Sequence, residues 1–231
     1  LMESPMHTFT NISASSDTTY TVELFVSSVF GCGSDTVRKE IMIHPKPVAS
    51  FSVDTTSGCS PLIVTIFNTS TGANTFIWDF GDGSPIDTTV NPTHIFTNPA
   101  IILDTVYCVT LISMSADSCT DTITKCIVVQ PKPVINTFTY TSIGCTPLNN
   151  TLCVTTSGAD IIVVDFGDGS PVITALMDTC LTHIYTNTTA SPVFYNPTII
   201  VENLYGCTDT ATASVTVLPE VTANFAALPD T

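Results

Sequence analysis

The feature that most constrains this chain is that it repeats itself. "FIWDFGDGSP" at 76–85 returns as "IVVDFGDGSP" at 162–171. "PKPVASF" (45–51) returns as "PKPVINTF" (131–138), and weakly as "PEVTANF" (219–225). "SGCSPL" (57–62) matches "IGCTPL" (143–148), and "PTHIFTN" (92–98) matches "LTHIYTN" (181–187) and "PMHTFTN" (5–11). "SCTDT" (118–122) matches "GCTDT" (206–210) and, with one insertion, "GCGSDT" (31–36). The spacing is about 86–88 residues, the mark of a structural unit used more than once. Two full units span 45–130 and 131–218. Residues 1–44 read as the last three strands of an earlier unit, and 219–231 as the start of a later one. The expectation is a segment of a longer array.

Each unit reads as short strands. "LIVTIFNTS", "NTFIWDF", "VYCVTLISMS" and "DTITKCIVVQ" are rich in Val, Ile, Thr and Phe, alternating or continuously apolar. Gly-Cys-x-Pro, Asp-Gly-Ser-Pro and Asn-Pro supply turns between them. No segment carries a capped helical period. About seven strands per unit predict an all-β chain of antiparallel Ig-like sandwiches, arranged as beads in an array.

Charge narrows the partners. The 231 residues carry 20 Asp and Glu against 5 Lys and Arg, a net −15. Nucleic acid is excluded as a partner, since binding it takes many cations. An anionic membrane surface is excluded for the same reason. No stretch reaches the roughly 18 apolar residues that span a bilayer, so no direct membrane insertion is expected. Nine cysteines without a CxxC pair or zinc spacing point to disulfides and an oxidising compartment.

The glycine-rich decapeptide follows a strand and reverses the chain. A P-loop needs a helix and a Lys, and an EF-hand needs a Glu at its twelfth position; both are missing. A structural turn fits better. Gly81, Gly83, Gly167 and Gly169 can take positive φ, while Asp79, Asp82, Asp165 and Asp168 accept turn N–H groups. Weak Ca²⁺ binding is the alternative, because hard oxygens cluster there. No other cofactor or metal is expected.

These residues resemble a known family. "WDFGDGSP", followed by "NPTHIF" and closed by "CTDTITKCIVV", is similar to the PKD domain, a seven-stranded β-sandwich. The cysteine-bearing "SGCSPL" and "GCTDT" look like PKD arrays in giant surface proteins of Bacteroidota, including gliding adhesins. The resemblance implies an extracellular spacer or adhesin module, or an accessory domain on secreted hydrolases. Val164 stands where the family pattern has Trp.

Other candidates reduce to structure. Trp78 reads as a core residue, since its counterpart is Val164. His7, His94 and His183 recur singly, without a second ligand at metal spacing. No nucleophile–base order recurs within a unit, so no catalytic residue is expected. Asp-Thr followed by a small or apolar residue is turn chemistry, and it also resembles the O-glycosylation motif of Bacteroidota proteins. The acceptors would be Thr18, Thr36, Thr55, Thr88, Thr105, Thr122 and Thr210. Asn11, Asn68, Asn149 and Asn187 form N-x-Ser/Thr sequons.

The cysteines admit a pairing scheme. Cys108 and Cys126 stand equidistant from a hairpin centre near 117, within disulfide reach across a ladder. Cys153 on a second strand and Cys180 before a fifth fall on neighbours of an Ig sheet. Cys59 and Cys145 are expected in the loop after the first strand, and Cys32, Cys119 and Cys207 in the last hairpin turn. A bond between those loops within one unit would span roughly 20 Å, too far. Cys59 should therefore bond Cys207, from one unit to the next. Cys32, Cys119 and Cys145 would then pair with repeats beyond this segment.

The expected function is structural: the shaft of an extracellular, cell-surface filament or adhesin. Its partners are neighbouring repeats of the same chain or filament, with surface glycans or other cells met by the tip. The alternative is an accessory carbohydrate- or protein-binding module of a secreted hydrolase.

Overall fold

The computed structural model describes residues 4–13, 15–176 and 178–221. Among them every regular element is a strand. Two compact units emerge. One comprises Leu1–Gly58, Leu62–Phe96 and Val106–Val128; the other comprises Cys59–Pro61, Thr97–Thr105 and Val129–Thr231. Most of the expected opening of a further repeat, 222–231, lies outside the described residues.

The head of the chain forms a two-stranded ribbon, β1 (Thr18–Ser27) against β2 (Ser34–Ile43). Three strands were expected there, yet 5–13 forms none. In the complete repeats the matching "THIF" and "THIY" segments pair with a strand that has no counterpart in 4–44. Without a ladder partner, the backbone there has no reason to extend.

The first full repeat has seven strands: β3 (Phe51–Val53), β4 (Ser57–Cys59), β5 (Leu62–Asn68), β6 (Thr75–Asp79), β7 (Thr93–Phe96), β8 (Thr105–Met114) and β9 (Thr120–Gln130). They form one sheet in the order β3-β5-β7 and another in the order β4-β9-β8-β6. Side chains alternate across each pleat, so Val64 and Ile66 of the first sheet are buried, as are Val109 and Leu111 of the second. Phe51 meets Trp78 edge-on at 5.3 Å between the two inner faces. That is an Ig-like sandwich. Trp78 is fully buried, and its indole N–H donates to the Thr89 carbonyl at 2.9 Å.

The second repeat runs β10 (Val134–Thr139), β11 (Ile143–Cys145), β12 (Leu148–Ser157), β13 (Ile161–Asp165), β14 (Ile173–Ala175), β15 (Thr179–Tyr185), β16 (Val193–Tyr195), β17 (Thr198–Glu202), β18 (Thr208–Thr212) and β19 (Val215–Leu218). Leu152, Val154 and Tyr185 from β12 and β15 pack against Ile162, Val164, Ile199, Val201, Val215 and Val217. Val164 occupies the Trp78 position and is just as buried.

Two features depart from the sequence reading. Cys59 and Cys145 do not lie in loops; they end the short strands β4 and β11. After β3 and β10 the chain crosses to the opposite sheet, where β11 runs parallel to β19. That crossing satisfies backbone groups at an edge that would otherwise stay unpaired. The last two strands of the second repeat are also broken. Pro197 brings no N–H, and its carbonyl takes the Ala213 N–H at 2.9 Å across the gap. At the matching place β8 and β9 run on, joined by Cys108–Cys126.

Candidate functional site

The "DFGDGSP" turn is built twice from the same bonds. Asp79 Oδ1 accepts the Gly81 N–H at 2.9 Å, and Asp165 Oδ1 accepts the Gly167 N–H at 2.8 Å. Asp82 Oδ1 accepts the Ser84 N–H at 3.0 Å, and Asp168 Oδ1 accepts the Ser170 N–H at 3.0 Å. Gly81 has φ +74° and Gly167 φ +73°. A Cβ on either would come within 2.6 Å of a backbone oxygen, that of Cys108 or Asn196. Only glycine permits both the left-handed backbone and this approach to the neighbouring strand. Gly83 and Gly169 also have positive φ but face open space.

The outer oxygen of the turn's second aspartate belongs to a histidine. His94 Nε2 lies 2.7 Å from Asp82 Oδ2, and His183 Nε2 lies 2.7 Å from Asp168 Oδ2. Each imidazole stacks on the turn's phenylalanine: Phe80 on His94 at 3.8 Å, Phe166 on His183 at 4.0 Å. Burial alone raises the Asp82 carboxyl. Hydrogen bonds from His94 and Ser84 outweigh it and hold the group at about 2. Asp168 is lowered too, where bonds from Ser170 and His183 outweigh burial. An ionised carboxylate can only accept, so Nε2 carries the proton. Both Asp82 oxygens are thus taken by protein donors.

Two further clasps recur that sequence reasoning missed. Asn98 Nδ2 donates to the Leu103 and Val129 carbonyls at 2.8 Å each, and its Oδ1 accepts from Ala100 N–H and the Thr105 hydroxyl. Asn187 does likewise with Ser191, Val217 and Thr189, and Asn11 with Ser16, Ile43, Ser13 and Thr18. The signal was present, since "TN" closes all three copies of the histidine motif. Separately, Asp121 binds Lys46 Nζ at 2.6 Å and the Ala49 N–H at 2.9 Å. Asp209 repeats this with Lys132 Nζ at 2.8 Å and the Ile135 N–H at 3.1 Å. The Pro-Lys-Pro lysine and the Cys-Thr-Asp-Thr aspartate are therefore one device.

Three disulfides are present. Cys108–Cys126 staples β8 to β9, and Cys153–Cys180 joins directly opposed residues of β12 and β15. Cys180 lies on β15 rather than before it, because β15 starts at Thr179, early enough to pair with β12 as far as Val154. Cys59–Cys207 joins residues 148 apart with Cα atoms at 5.6 Å. Both fall in the second compact unit, and the bond ties the first sequence repeat covalently to the second. Cys32, Cys119 and Cys145 are free thiols, two exposed and Cys119 half-buried.

The candidate glycan acceptors divide. Thr36, Thr88, Thr122 and Thr210 are exposed. Thr18, Thr55 and Thr105 are half-buried, and their hydroxyls donate to Asn11, Ser57 and Asn98. Among the sequons, Asn187 is buried with its amide engaged, while Asn149 is exposed. Among the described residues, one cluster has metal-ligand geometry: Asp17, His44 and Asp117, with ligand atoms within 4.8 Å of one another. All three are exposed, and the Asp17 hydrogen bond raises the His44 imidazole. Among the described residues no helix is long and apolar enough to cross a membrane.

No family model matches the chain, and no curated protein does. Solved structures with a similar fold include the PKD1 domain of Vibrio anguillarum Epp, 27% identical, covering 37% of this chain and 95% of that one, TM-score 0.31. The PKD1 domain from Vibrio cholerae metalloprotease PrtV is 30% identical, covering 37% of this chain and 98% of its own, TM-score 0.31. A Ca²⁺-stabilized adhesin from an Antarctic bacterium is 13% identical, covering 89% of this chain and 58% of that one, TM-score 0.35.

Proposed function

We propose that this chain is a structural segment of an extracellular repeat array, the shaft of a surface filament or adhesin. The Cys59–Cys207 bond carries the reading. Tension applied through the chain enters at Cys59 and leaves at Cys207, residues 148 apart in sequence, so the stretch between them stays out of the load-bearing path. The strands of that stretch, β5 to β8 and β12 to β17 among them, are then kept from unravelling under load. A shaft that must not lengthen under load needs this property.

Supporting features point the same way. The turn, the histidine pair and the asparagine and lysine clasps spend polar side chains on the fold. The three disulfides suit an oxidising, extracellular setting. An antibody raised against residues 45–218 tests the assignment on intact cells of the source. Surface labelling, with the antigen released by shear in long particles, is the expected result. Antigen found only inside cells, or only as a short piece of a secreted hydrolase, contradicts it.

A further inference from the structure

We propose that Cys145 is the open half of a second staple of the Cys59–Cys207 type, its partner the turn cysteine of a further repeat of this fold. This rests on the array reading above and adds a specific covalent site to it.

Cys145 and Cys59 occupy one backbone frame. Each ends a three-residue strand. The next residue's N–H donates to the end of the last strand: Ser60 to the Gln130 carbonyl and Thr146 to the Leu218 carbonyl, both at 3.0 Å. The same residue's hydroxyl accepts the N–H of the clasp asparagine, Ser60 from Asn98 at 2.9 Å and Thr146 from Asn187 at 2.8 Å.

The turn cysteines match as well. Cys119 accepts the Ser115 N–H on its carbonyl at 2.9 Å and donates its N–H to Ser115 Oγ at 3.2 Å. Cys207 does the same with Asn203, at 3.1 Å to the carbonyl and 3.0 Å to Oδ1. Each repeat therefore presents one strand-end cysteine and one turn cysteine. Cys59 is bonded to a turn cysteine, whereas Cys145 is exposed and free. The turn cysteine Cys119 is free too. A strand-end cysteine thus has a partner class observed in this molecule, and Cys145 lacks only the copy that supplies it. Because position 145 lies between 59 and 207, successive staples interlock. Breaking one does not release the repeat that the next still spans.

The chemistry is thiol oxidation. Two S–H bonds and the S–S bond of a disulfide such as oxidised glutathione break; one protein S–S bond forms, and the two electrons and, through solvent, the two protons go to the glutathione, which leaves as two thiols.

The test extends the full chain by placing a second copy of residues 131–218 after Leu218, in place of 219–231. The protein is folded in a glutathione redox buffer, alkylated without reduction and mapped by mass spectrometry. The expected new linkage joins Cys145 to the turn cysteine of the added copy, with Cys59–Cys207 retained. Cys145→Ser in the same protein should leave that added turn cysteine alkylated. Alkylated Cys145 beside an intact Cys59–Cys207, or Cys145 bonded to Cys32 or Cys119, overturns the proposal alone. Loss of both bonds overturns the shaft reading with it. If the extended chain does not fold, the native protein is mapped instead. There Cys145 should be linked to a Cys-Thr-Asp-Thr-type peptide other than those of Cys119 and Cys207, and a free Cys145 thiol, or a bond to Cys119, overturns the proposal.

Discussion

His94 and Asp82 share a 2.7 Å hydrogen bond, and His183 and Asp168 share one of the same length in the next repeat. The pair locks the glycine turn to the strand that follows it, and the imidazole then lies flat on Phe80 or Phe166. Asp82→Asn removes the charge that makes the bond strong. A loss of about 1–3 kcal/mol is expected, read as a shifted midpoint in urea melts of the full chain. An unchanged midpoint contradicts the clasp.

Acid should find the same pair. Asp82 is held at about 2 in the folded protein, against an ordinary 3.8. A depressed folded value means stability that is present above pH ~4 and lost as pH falls towards 2, worth about 2 kcal/mol for this group. Asp168, Asp121 and Asp209 shift in the same direction. Stability measured from pH 6 to 2 should fall mainly below 4, and Asp82→Asn should flatten that fall.

The two glycines of one turn should respond differently to alanine. Gly83→Ala meets open space and costs only its left-handed backbone, about 1 kcal/mol. Gly81→Ala adds a Cβ within 2.6 Å of the Cys108 carbonyl oxygen, and should cost about 3 kcal/mol or more. Equal losses in thermal melts refute the close approach.

Asn98→Ala leaves two carbonyls, Leu103 and Val129, without their donor. The expected cost is about 2–4 kcal/mol. Hydrogen exchange should also quicken around 98–105 and 129–130. A change confined to the side chain, with no exchange response, counts against a clasp on the last strand.

Much of this was legible because repetition separates pattern from accident. Val164 in place of Trp78 identified a buried position, and the twice-used "DFGDGSP" identified a turn. Cysteine spacing named Cys108 and Cys126 because a hairpin has a centre of symmetry. The strand crossing at β4 and β11 was not legible, since three residues carry no hydrophobic period. The break at Pro197 was not legible either, because apolar residues stand on both sides of it. From sequence Asn187 reads as a sequon and Asn98 only as part of the repeated motif, so neither shows its clasp. A buried amide declares itself only when its carbonyl partners, 30 or more residues away for Val129 and Val217, are folded against it.

Single-molecule pulling on the unreduced chain, held at its two ends, shows whether the Cys59–Cys207 bond bears the load. Tension should pass through Cys59–Cys207, so only residues outside 59–207 lengthen. Adding reductant should release the enclosed chain, whose ends are 148 positions apart, an extra extension on the order of 500 Å. Extension on that scale before any reductant is added contradicts the account.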